Sequence, residues 1–382
     1  MSNSTIEYKD SLYRALWNGE IPDRVPVNQN VDMVYALQYA GYSLTREQYN
    51  IDKCFEAIDK VCEVCDNDGY PISSSKNVVA LRIMGSRDWV MGKDGFLQHP
   101  NHASMREDEY DFLINDFKGF SAEMNRRSNS AYDCDPEQAA LAKLRVDVSN
   151  DRYNRKNAEK KKWINEKHQR STFEKTIGMS GGPFDTIANN YRSFTGALND
   201  MRRYPDKVLA AVRVLTDNAL KRIDMIPSGV EGGRIFMPLH MATFMKEKDF
   251  QKFWWPYYKE VLDKCSATDK RIFIFFEDRW DRYMDYLQQI PPGAEMQFEF
   301  TDAALAKEKL GKNNIICGFY PVQTLKSGTV EQCEDEAKKL LDLCAPGGNF
   351  IFKTDKNPIL LADAKPENII AAIRTVKEYG KY

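Results

Sequence analysis

The sequence lacks an excess of charge of either sign: 54 lysines and arginines stand against 56 aspartates and glutamates, a formal net charge of -2. Nucleic acid is a poor partner for such a chain, because binding it requires a basic surface that displaces phosphate counterions. No apolar run approaches the roughly 18 residues needed to span a bilayer. The opening stretch MSNSTIEYKDSLYRALWNGE has no basic start followed by an apolar core, so it does not read as an export signal. A cytoplasmic protein without a membrane partner is the expectation. The glycine-rich fingerprints of dinucleotide and P-loop proteins, an HExxH pair and a nucleophile elbow are all missing. There is no repeat, low-complexity tract or Gly/Ser linker, which favours a single domain over residues 1–382 rather than two. The eight cysteines fall at irregular positions and read as reduced thiols. Cys62 and Cys65 form one CxxC inside a segment of helical period, with no second pair at zinc-ribbon spacing, and are expected to pack.

What is present is an alternation. From about Met179 onward, short apolar runs take turns with longer segments of helical period, the pattern of a parallel α/β sheet or barrel. Strands are expected near 175–180, 233–239, 271–277, 295–301, 314–319 and 349–354. Amphipathic helices lie between them, among them YPDKVLAAVRVLTDNALKRIDMI, KEKDFQKFWWPYYKEVLDKC and TVEQCEDEAKKLLDLCAP, the last opening on a Thr N-cap. A final helix starts near Lys365, with Pro366 in its first turn and Gly380 past its end. The first half is less regular. IPDRVPVNQN suggests a strand at Val25 to Asn28, GYPISSSKN a second, and residues 1–20 a helical elaboration. The polar, basic segment at about 145–172 reads as a solvated helix. One α/β barrel with N-terminal elaborations is expected, with a doubly wound sheet as the alternative.

Parallel barrels keep their chemistry where strands end. RIFMPLHMA ends in His240, RIFIFFEDRW in Glu277 and Asp278, AEMQFEFTDA in Glu299 and Asp302, NNIICGFYP in Cys317, and GNFIFKTDKNP in Lys353 and Asp355. A lone strand-end acid is more often a cap or loop residue. Several acids with an imidazole and a thiol on one rim, however, call for a compensating cation or substrate. A divalent metal, zinc from the N, S and O donors on offer, is one candidate. The remaining histidines, His99, His102 and His168, sit in polar contexts.

In chain order, PDRVPV, DEYDFLINDF, GGPF with YPDKV, FMPLHMATFMKEKDFQKFWWPYY, FTDAALAKEKLG, CGFYPVQTLKSGT and ADAKPENIIAAIRTVKEYG resemble the uroporphyrinogen decarboxylase superfamily. Within it, the chain most resembles the corrinoid-dependent methyltransferases that demethylate aryl methyl ethers in anaerobic bacteria. The resemblance implies a distorted (β/α)8 barrel and a small methylated substrate. It also implies transfer of the methyl group to cobalamin carried by a separate corrinoid protein, and it is compatible with a homodimer. The thiol-methylating members hold zinc with a His-x-Cys pair and a further Cys. Here Phe275 and Glu277 stand at the first pair, and FKTDKNP offers Asp355 but no Cys, so that site does not carry over. The expectation is instead a metal set of Glu277, Glu299 and Cys317. His240 is expected to act as proton donor or orienting group, with Asp278 and Asp355 completing the catalytic set. The alternatives are a uroporphyrinogen-type decarboxylase, whose Arg-rich N-terminal clamp is represented here by Arg24 alone, and a non-catalytic binding protein.

Overall fold

The computed structural model describes residues 5–73 and 75–382; residues 1–4 of the expected N-terminal elaboration and Ser74 of the second expected strand lie outside them. A small antiparallel hairpin, β1 (Val90–Met91) and β2 (Leu97–Gln98), belongs to the N-terminal half. The main sheet is parallel and ordered as the chain runs: β3 (Lys175–Met179), β4 (Gly233–Leu239), β5 (Arg271–Phe276), β6 (Glu295–Phe298), β7 (Ile315–Tyr320) and β8 (Phe350–Thr354). These are the six strands expected from the apolar runs. Helices Pro205–Asp224, Trp255–Ser266, Val330–Cys344 and Pro366–Tyr379 cover the sheet's outer face. The third of these carries the expected Thr329 cap as a full capping box with Gln332. In the aromatic segment, the helix loosens to a π turn over Phe250–Trp254, directly before Pro256, whose missing N–H cannot continue an α ladder.

Between β8 and β3 the ring is completed by irregular chain. Val27 bridges Phe352 in the parallel sense, and Val31 bridges Ile72. Asp68 N donates to Val27 O at 3.0 Å, and Ser171 N donates to Asp68 O at 2.7 Å. The two N-terminal strands read from sequence are thus single bridges, and the architecture is a distorted α/β barrel with six regular strands. The cause lies in the residues. Pro26 and Pro71 have no N–H to give a ladder, and the buried Asp68 carboxylate takes the Val27 N–H at 2.8 Å and binds Arg24 at both oxygens.

The pleat separates two environments. On β4, Ile235, Met237 and Leu239 are fully buried against helices, while the alternate Arg234, Phe236 and Pro238 are only partly buried; Phe273 and Phe275 behave likewise on β5. These alternate residues face the barrel interior, since Lys353 of β8 reaches across to Glu295 of β6 at 2.7 Å and over the Phe273 ring of β5 at 4.3 Å. The interior is therefore less tightly filled than the helix-facing layer. Its floor is closed by helix Thr5–Trp17, whose Tyr13 and Leu16 pack with Phe173, Ile315, Cys317 and Ile351. The basic segment forms part of one long helix, Pro136–Lys167, with only Val146, Ile164 and Asn165 buried along it, as a solvated helix should be. All eight cysteines are free, and Cys62 and Cys65 are buried. No helix among the described residues is long and apolar enough to cross a membrane.

Candidate active site at the barrel mouth

His240 and Glu277 each follow directly on the last residue of a strand, β4 and β5, and these strands pair Leu239 with Phe276. The shared register brings the two side chains together: His240 Nδ1 contacts Glu277 Oε2. Both stay accessible, with 37% and 43% of their side chains exposed. Behind them lies an acid that the strand-end reading missed. Asp185 is buried and accepts the backbone N–H of His240 at 2.8 Å and of Met241 at 2.9 Å, while Trp254 Nε1 donates to its other oxygen. The GGPF motif explains how it fits. A Cβ on Gly182 would stand 2.3 Å from Asp185 Oδ2, so glycine is needed there for the carboxylate to turn back onto the His240 loop. Burial pushes the His240 imidazole below the ordinary histidine value; Asp185 works against this, and His99 adds to it. Contact with the Glu277 carboxylate favours the imidazolium and so also opposes burial.

The other expected residues separate. Glu299 is on the same rim, where it binds Lys356 at 3.0 Å and accepts the Asp278 N–H at 2.8 Å. Asp278 itself sits at φ 64, an uncommon conformation for a residue other than glycine, on the turn leaving β5. Asp355 is buried and fixes backbone, accepting Val322 N at 3.0 Å and Lys356 N at 2.6 Å. Burial raises its pKa while these bonds lower it. Asp302 is a helix N-cap, accepting Leu305 N at 2.8 Å. Cys317 is not on the rim. The strand it was taken to end runs on to Tyr320, so Cys317 is its third residue and faces the floor, with its thiol pushed well up by burial. Glu277, Glu299 and Cys317 are therefore not brought together as a ligand set. Among the described residues, no group of three or more His, Cys, Asp or Glu is arranged to hold a metal ion. The donors do not fit the expected zinc.

Lys353 likewise lies inside the barrel rather than on the rim, in a buried charge cluster above the floor. Arg234 binds Glu174 at 2.7 Å and also contacts Glu295, which accepts Lys353 at 2.7 Å; Asn28 donates to Glu174 at 2.9 Å and receives Tyr13 OH at 2.6 Å. Two carboxylates thus share two cations. Burial raises Glu295, but Arg234 and Lys353 outweigh it and hold the carboxyl down to about 2, whereas burial prevails at Glu174 and lifts it to about 7. A single charged residue at the start of an apolar run, as in GGRIFMP and GAEMQFEF, is the sequence signal that marks Arg234 and Glu295.

The profile described as uroporphyrinogen decarboxylase (URO-D) matches residues 168–379, more than half of the chain, and the protein belongs to that family. Among solved structures, a methyltransferase from Methanosarcina mazei is similar in fold, with a TM-score of 0.61 at 14% sequence identity, covering 98% of this chain and 99% of that one. No curated protein sequence matches.

Proposed function

We propose that this protein is a methyltransferase that binds a small methylated substrate, an aryl methyl ether, in the barrel mouth and delivers its methyl group to the cob(I)alamin of a separate corrinoid protein. The observation that carries the reading is the accessible His240–Glu277 pair set over an interior lined by Phe236, Phe273 and Phe275. An aromatic ether would stack against the exposed side of this aromatic layer, whose Phe236 and Phe273 rings pack 5.1 Å apart, with its oxygen at the polar rim. As the methyl–oxygen bond breaks, its electron pair stays on oxygen, and the proton held between His240 and Glu277 meets the forming phenolate. When docked, the corrinoid supplies the nucleophile that takes the methyl carbon; this chain orients the ether and protonates the leaving group. The decarboxylase reading is disfavoured by Arg24, which is buried and held by Asp68 at both terminal guanidinium nitrogens, leaving it poorly placed to clamp substrate carboxylates.

The protein alone should release no phenol from methoxyarenes. With reduced corrinoid protein, or a high concentration of free cob(I)alamin, it should release phenol in step with methylated corrinoid, followed by absorbance. If no methylated phenol, amine or thiol gives that product with any corrinoid partner, the reading fails.

A further inference from the structure

The N-terminal half, with Ile359 from the loop that follows β8, borders a cavity of about 1100 Å³. It lies between helices Met33–Tyr39, Ile51–Val61 and Val78–Met84, the β1–β2 hairpin and the first half of the long helix Pro136–Lys167. Its size is at the upper end of what small-molecule sites occupy, about 300–1,000 Å³. Leu37, Ile83, Trp89, Phe96, Leu144 and Val148 give it an apolar wall. Val79, Leu144 and Val148 on its lip are 37%, 59% and 59% exposed, an arrangement that favours an occupant able to cover them.

The charges in this wall are unequal. Four cations line it, Lys76, Arg145, Arg152 and Lys156, against the acids Asp32 and Asp52. Both acids are engaged: Asp32 caps a helix by accepting Val34 N at 3.0 Å, and Asp52 binds Lys156 at 3.2 Å and Lys160 at 2.8 Å. Lys76 lies over the Trp89 ring at 4.0 Å. Among the described residues, Arg145 and Arg152 make no ion pair with an acid. Two guanidinium groups beside an apolar chamber match a ligand with an extended apolar body and one anionic group.

The geometry points to this cavity as a binding site for an amphipathic organic anion, an aromatic body carrying a carboxylate or sulfonate; neither His240 nor Glu277 lines it. The two places are not isolated from each other. On the Trp89 side, the indole contacts the His99 ring with centroids 4.6 Å apart, and His99 lies near enough for its charge to act on His240.

Two fluorescent probes of nearly the same body test the assignment: 8-anilinonaphthalene-1-sulfonate, which is anionic, and N-phenyl-1-naphthylamine, which is neutral. The full chain should bind one equivalent of the sulfonate, more tightly than the amine. The double variant Arg145→Ala/Arg152→Ala should weaken sulfonate binding about tenfold, the equivalent of about 1.4 kcal/mol, and leave the amine unchanged. Leu144→Glu, a change at an exposed position that adds repulsion at the lip, should abolish sulfonate binding while the protein stays folded by circular dichroism. The idea is overturned if both probes bind alike, if the double variant binds the sulfonate as the parent does, or if sedimentation shows a dimer whose separation by Leu144→Glu opens the cavity to the probe. That last result would assign the cavity to a second copy of the chain. The readout is binding rather than turnover, so it can fail while the methyl-transfer reading stands, and the reverse.

Discussion

At His240 opposing influences meet in one side chain: burial disfavours the imidazolium and holds the group below its ordinary value, while the Asp185 charge works against burial and the contacting Glu277 carboxylate favours the imidazolium as well. The sign of the pH dependence follows. If the pair protonates the leaving phenolate, the active form is the protonated one, and kcat/KM should fall as pH rises through the pKa of a histidine held below its ordinary value. Glu277→Gln keeps the shape but removes the anion that favours imidazolium, so the fall should move to lower pH. A pH profile of phenol release for parent and variant checks this, and an unmoved profile would leave Glu277 as a neighbour only. The two positions were legible in the sequence as strand ends because both follow directly on apolar runs, but Glu277 was expected as a metal ligand and not as the partner of His240. Asp185 was not, since it lies four residues beyond Gly181 on a short helix and acts through backbone N–H groups that no sequence pattern displays. Cys317 misled for a related reason: within NNIICGFYP nothing marks which residue is the last of the strand.

Among the elements, β7 carries the least forgiving position. Gly318 has φ +91, and a Cβ there would lie 2.2 Å from Phe298 O on the neighbouring strand, so both backbone conformation and strand spacing demand glycine. Phe319 follows at φ 70, a turn of the chain that interrupts the regular pleat at the mouth end of the strand. Gly318→Ala should destabilise the protein by about 2–4 kcal/mol, read as a lower urea midpoint with unchanged slope. A smaller loss would mean that β6 and β7 can separate at little cost. The six regular strands could be read in advance because each is apolar, bounded by turns and followed by a helix of clear period. The two N-terminal segments could not be placed as firmly. Prolines and a buried Arg24–Asp68 ion pair replace ladder bonds there, and long-range polar partners leave no periodicity behind.

The whole molecule is a barrel sealed at one end and open at the other. Helix Thr5–Trp17 forms the seal, and the thiol of Cys317 lies behind it. Leu16→Ala should cost about 2–4 kcal/mol by removing a buried side chain from that floor. It should also make Cys317 alkylate faster under native conditions, whereas in the parent the exposed Cys134 reacts first. Peptide mapping by mass spectrometry after timed alkylation would show both, and a Cys317 that stays protected despite lowered stability would assign the seal elsewhere. The same construction orders events in time. The sealing helix is made long before Ile315 and Ile351, which it covers, and Val25 N likewise donates at 2.8 Å to the much later Gly380 O. At about 5–20 residues per second, a ribosome needs from about 20 to about 75 seconds to make this chain. Until the strands carrying Ile315 and Ile351 are made, Tyr13 and Leu16 have only Phe173 and Asn28 of these partners to close against, so the sealing helix spends much of synthesis as a partly exposed apolar surface that nascent-chain chaperones would be positioned to cover.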